Sequence, residues 1–181
     1  MTSLIDIKPR IRNFIASALG ADFKAVYWQS ERLEEPVKPF CMLTELADSQ
    51  TDRTAWYKSG SLSYTLEQYK QVVITVGIYV DGLDEFDVRK QFAYSSANNL
   101  RTQIEMATRE FAFGDIAIKS ISGVRPLNEE VDGGYLFRYE FDLTIGYNEE
   151  TVSNCEIGEH IDLELKDEND IIIIDEVISE E

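Results

Sequence analysis

The stretch YLFRYEFDLTIGY, residues 135–147, alternates without a break. Tyr135, Phe137, Tyr139, Phe141, Leu143, Ile145 and Tyr147 take the odd positions, with Arg138, Glu140, Asp142 and Thr144 between them. A period of two marks a strand with one face buried and one face wet. At about 3.3 Å per residue the stretch spans roughly 40 Å, far beyond an ordinary strand of about 5–6 residues. The rest of the chain must supply the strands and helices that cover its apolar side.

Just upstream, IAIKSISGV (116–124) reads as a strand, and RPLNEEVDGG (125–134) as the turn that makes the long ribbon its antiparallel partner. Further back, VVITVGIYV (72–80) is β-branched and apolar on both faces, as a central strand is, and Asp81-Gly82 ends it. Between them, residues 84–111 hold Val88, Phe92, Ala93, Ala97, Leu100, Ile104, Ala107 and Phe111 at helical spacing, with Arg89, Lys90, Arg101 and Glu105 opposite. At the start, LIDIKPRIRNFIASAL (4–19) places Leu4, Ile7, Ile11, Phe14, Ile15 and Ala18 on one helical face. Pro9 costs least there if the helix begins near Ile7 or Lys8. KAVYW (24–28) and PFCMLTEL (39–46) read as short strands, and the polar residues 49–63 as a long hairpin loop or mobile arm. The expected fold is α+β: a mostly antiparallel sheet with two main helices packed on one face, plus an extended C-terminal β arm.

Of the 181 residues, 34 are acidic and 17 basic, giving a net charge of −17. Such a field repels nucleic-acid backbone and anionic membrane surfaces. The charge is uneven. Residues 149–181 hold 13 of the acidic residues and one basic residue, Lys166, so they carry −12 and leave the body near −5. The expected division is therefore an α/β domain over 1–148 and an acidic arm over 149–181. That arm still contains strand formers, above all DIIIID at 170–175, whose flanking acids act as gatekeepers against aggregation. The expectation is that this strand adds to the sheet edge of another subunit; the alternative is a local hairpin on its own chain.

Catalytic furniture is absent from the sequence. There is no HExxH, CxxC, GxSxG or phosphate loop, and Gly133-Gly134 is a turn signal. The lone His160 sits among acids as a solvated residue. Asp162, Glu164, Asp167, Glu168 and Asp170 lack the spaced glycine of a calcium loop. Cys41 and Cys155 match no metal spacing and read as unpaired thiols of a reducing compartment. No apolar run reaches the roughly 18 residues of a membrane helix, and no signal peptide is legible, so a soluble, cytosolically made protein is expected. No enzyme activity, cofactor or metal is expected.

Three features point outward. Arg53, Trp56, Tyr57 and Lys58 lie on a polar connection, and Trp, Tyr and Arg are typical interface anchors; the alternative is that Trp56 folds back on its own core. Arg125 and Asp132 flank a turn that offers a second contact. Ile171, Ile172, Ile173 and Ile174 form the strand of the acidic arm.

In order along the chain, an amphipathic helix, the segment with RTAWYKSG, the strand VVITVGIYVDG, a helix opening on Phe86-Asp87, and SGVRPLNEEVDGGYLFRYEFDLTIGY together resemble the neck and tail terminator proteins of long-tailed bacteriophages. The likeness covers about residues 1–160 and is strongest over 53–82 and 120–148. It implies a structural virion protein, made in the host cytoplasm, that forms a hexameric ring. Such a ring caps the tail tube, stops its polymerisation and receives the head–tail connector, while genomic DNA passes through without specific binding. Tail-tube protein and connector are the implied partners, with the tail sheath a further candidate. The family brings no catalytic residues, and the DIIIIDEVISEE end departs from its pattern. The alternatives are another head–tail joining or tail-tube protein of the same particle, or an acidic DNA-mimic inhibitor, which would spread carboxylates over one face instead of gathering them in an arm.

Overall fold

Three long strands form the spine. The computed structural model of the chain describes residues 4–31, 36–58, 63–82, 85–109, 116–131, 134–154, 165–166 and 172–173. Helix α1 (Leu4–Leu19) leads through a short 3-10 turn to β1 (Ala25–Trp28) and then to β2 (Phe40–Lys58) and β3 (Ser63–Asp81). Helix α2 (Phe86–Arg109) follows, then β4 (Ala117–Ile121), β5 (Arg125–Pro126), β6 (Glu129–Val131) and the 21-residue β7 (Gly134–Asn154). The main sheet has seven strands in the order β1-β2-β3-β7-β4, with β5 and β6 also paired to β7. Only β1 and β2 run parallel; every other pair is antiparallel.

The register explains the single core. Val72, Ile74, Val76, Ile78 and Val80 of β3 lie opposite Ile145, Leu143, Phe141, Tyr139 and Phe137 of β7. These ten join Ile7, Ile11 and Ile15 of α1 and Ala93, Ala97, Leu100 and Ile104 of α2 in one buried cluster. Both helices therefore pack on the same face. Small residues on α2 allow its backbone close to the sheet, and each fully buried Ile, Leu or Phe contributes about 1.5–3 kcal/mol. Trp28, at 2 % exposure, ties α1 to β1: its Nε1 donates to the Lys8 carbonyl at 3.3 Å. Cys41 is buried in this core, and burial pushes its thiol well above the usual range, which makes it an inert packing residue.

The first helix runs over the expected residues 4–19 with Pro9 in its early turns, whereas two other local expectations need correction. Ile5, whose carbonyl loses its partner to that proline, is 80 % exposed, and water reaches this turn. Residues 49–58 are not a loop: they continue β2 to Lys58, and β3 resumes at Ser63. The side chains there are mostly polar and give no periodic signal, while ladder hydrogen bonds form whatever the side chains are. Finally, the 125–134 connection is more than a turn. Arg125 and Pro126 pair with Glu140 and Tyr139, and Glu129 to Val131 pair with Leu136 to Gly134. Pro126 fits because its strand lies at the sheet edge.

The polar face of the long strands is closely packed too. A Cβ on Gly146 would sit 2.0 Å from Tyr69 Oη and 2.9 Å from Lys119 Cε. Lys119 Nζ stands 5.0 Å from the centre of the Tyr69 ring, so only glycine leaves room for this stack.

Candidate subunit interface

Beyond the helices, β2, β3 and β7 run on as a three-stranded arm. Lys58 pairs with Tyr64, and Ser63 with Asn154, at its end. β1 covers only Phe40–Leu43 of β2, and β4 meets β7 no further than Gly146. Among the described residues, then, β2 from Thr44 to Lys58 and β7 from Asn148 to Asn154 each have one edge with no ladder partner. Such edges invite pairing with another chain.

Trp56, Tyr57 and Lys58 belong to this arm, opposite Leu66, Thr65 and Tyr64. Arg53 falls where the register slips, between Gln50 and Thr54. Ile172 and Ile173 form β9 (Ile172–Ile173), which pairs with β8 (Leu165–Lys166) in a separate two-stranded sheet. That is the local hairpin, at least over those two residues. Asp132, Ile171, Ile174, Cys155, His160 and the acids Asp162, Glu164, Asp167, Glu168 and Asp170 lie outside the described residues.

Arg125 has a different setting: it is held within its own chain. On the sheet face away from the helices its guanidinium grips Asp142 with two hydrogen bonds, one of 2.9 Å, and reaches Glu140 at 3.5 Å. Arg138 Nε donates to Glu140 at 2.6 Å from the other side. Thr75 Oγ1 donates to Asp142 at 2.7 Å, and the Asp142 amide donates to Ser122 Oγ at 2.7 Å. Arg138 also lies 5.2 Å from the Tyr79 ring, which stacks on Phe40 at 4.7 Å. Glu140 is only 4 % exposed, and these two arginines are its ion-pair partners among the described residues. Alternation alone assigns positions 138, 140 and 142 to a wet face. The missed signal is that opposite charges recur at every second residue there, beside another arginine at 125.

This cluster makes acid sensitivity predictable. Hydrogen bonding from Arg125 holds the Asp142 carboxyl below its usual range; burial opposes the shift and Thr75 supports it. The unfolded chain lacks that grip, so the stabilisation is complete above about pH 4 and fades as pH falls through the lowered folded value. Arg125→Met is therefore expected to lower the urea midpoint most near neutral pH. The gap to wild type should shrink below about pH 4; a gap independent of pH would remove Asp142 as its cause.

No group of metal-binding side chains occurs among the described residues, and none of the helices is long and apolar enough to cross a membrane. No curated protein matches the sequence. Against families, the match spans nearly the whole chain, residues 7–174, and is to the phage neck terminator proteins, the family to which this chain belongs.

Proposed function

We propose that this chain is the terminator of a phage tail: a hexameric ring at the neck that caps the last ring of the tail tube, stops its polymerisation and receives the head connector. Genomic DNA then passes through the channel without specific binding. As a neck protein it is a structural component of the virion, with tail and head proteins as partners, and its work is assembly rather than catalysis. The observation that carries the ring is the three-stranded arm with two open edges. A closed ring needs heterologous contacts, in which each subunit offers its neighbour a surface unlike the one it receives. An arm at one end of a sheet meets that need.

The net charge of −17 suits a conduit, since like charge keeps the phosphate backbone from sticking during passage. The segment 149–181 acts as an acidic arm, and its Ile171–Ile174 strand adds to the contacts between subunits along the edge that β8 does not cover. Arg53, Trp56, Tyr57 and Lys58 contribute at the arm, with Asp132 a further contact, while Arg125 serves its own sheet.

Light scattering on the purified chain should give a mass several times the 20.7 kDa of one copy. Removing residues 162–181 is expected to lower that mass. An unchanged ring after truncation would exclude the C-terminal strand from the interface, and a monomer at every concentration would contradict the ring in solution.

A further inference from the structure

The edges of the main sheet that lack a ladder partner among the described residues differ in what they can receive. β1 and β4, which end the strand order, are four and five residues long. β7 from Asn148 to Asn154 carries Glu149 and Glu150. β2 is open from Thr44 to Lys58, and its two parts are unlike. Glu45, Asp48 and Asp52 lie in the first part, whereas Arg53 to Lys58 holds a cation at each end and no carboxylate. The arm as a whole is not basic: Glu67 of β3 lies opposite Ala55, and Glu150 opposite Glu67. Those carboxylates belong to the inner strands, where Asn148 Nδ2 donates to Glu67 at 3.0 Å and Lys70 is ion-paired with Glu149.

The chain also holds a strand whose ends match this outer edge. Asp170 and Asp175 bracket four isoleucines, just as Arg53 and Lys58 bracket Thr54, Ala55, Trp56 and Tyr57. Its central residues, Ile172 and Ile173, form β9, which pairs with β8 in a sheet of its own. Among the described residues the other side of β9 has no ladder partner, and β9 does not pair with β2 of its own chain. A single copy therefore leaves both edges open.

We infer that β9 of one copy adds to the outer edge of β2 in the next copy, antiparallel to it as β3 is on the inner side. Ile172 then lies opposite Trp56 and Ile171 opposite Tyr57. This rests on the ring reading above and names the two edges that meet. The register sets Asp170 opposite Lys58 and Asp175 level with Arg53, so each end of the acidic strand meets a cation. On β7 the same strand would face Glu149 and Glu150 instead. Opposite charges and aromatic–β-branched pairs stabilise neighbouring strands, while the backbone ladder supplies affinity. Ile172 extends a row that already holds Trp56, Leu66 and Thr151. The occupant is a second copy because the donor segment follows β7 while the acceptor is β2, with β3 between them. Giving and receiving edges differ, so each copy gives to one neighbour and receives from the other, as a closed ring requires.

Disulfide trapping in the full-length chain tests the register, with Cys155→Ser removing the thiol nearest the arm. One protein carries Trp56→Cys and a second carries Ile172→Cys; the two are assembled together and oxidised. A covalent dimer should form, at about tenfold or more the yield obtained with Ile173→Cys, because successive residues of a strand face opposite sides and a disulfide needs close Cβ atoms. Tyr57→Cys with Ile171→Cys is the second pair, and circular dichroism melting checks that each variant is folded. Assembled variants that give no dimer from either pair, or equal yields at 172 and 173, overturn the strand exchange and leave the ring standing. A wild-type chain that never assembles overturns the ring and this contact together.

Discussion

Arg138→Met is expected to cost the folded chain about 3 kcal/mol, because it removes the nearer partner of a buried carboxylate. Glu140 is only 4 % exposed, and after the change its remaining cation among the described residues is Arg125 at 3.5 Å. A charge taken from water and then deprived of its close partner is far more costly than the ion pair itself is worth. The control is Arg138→Met with Glu140→Leu, which replaces both partners with apolar groups. Most of the lost stability should return, since no charge is left buried alone. Urea denaturation of the three proteins decides it: equal losses in the single and double variants would mean that the guanidinium stabilises by packing on Tyr79 and not by serving Glu140.

A larger loss, about 3–5 kcal/mol, is expected for Phe141→Ala. Phe141 is fully buried, pairs with Val76 on the central strand, and lies where both helices meet the sheet. Truncation leaves a cavity that rigid strands on either side cannot close. Phe141→Leu keeps most of the volume and should cost under about 1.5 kcal/mol. Thermal unfolding monitored by circular dichroism measures both, and similar losses for the two would contradict a tightly packed site at this position. A loss of that size is a large part of a typical domain stability of about 5–15 kcal/mol, so the Ala variant should also fail to assemble.

The position of Phe141 in the core is legible from alternation alone, and so are the central strand at 72–80 and the two amphipathic helices. Each of these segments buries one face, and burial imposes a period on the sequence. Where a strand is polar at both odd and even positions, no such period is visible. That is why the arm from Ala47 to Lys58 reads as a loop although it is paired along β3, with slips in register at Glu45–Ala47 and Gln50–Thr54. β5 and β6 are too short for any pattern and owe their existence to the open edge of β7, which is a property of the partner strand. The polar cluster was hidden for another reason. Residues Arg138, Glu140 and Asp142 sit at the positions that alternation assigns to water, and Arg125, brought alongside by β5, links them into one ion-pair network around the buried Glu140.

A terminator is defined by its ending of the tail. In a phage that encodes this chain, deleting it should yield tails of uncontrolled length that lack heads, counted by electron microscopy, and supplying the chain in trans should restore uniform tails joined to heads. Tails of normal length, already attached to heads in its absence, would contradict the terminator role.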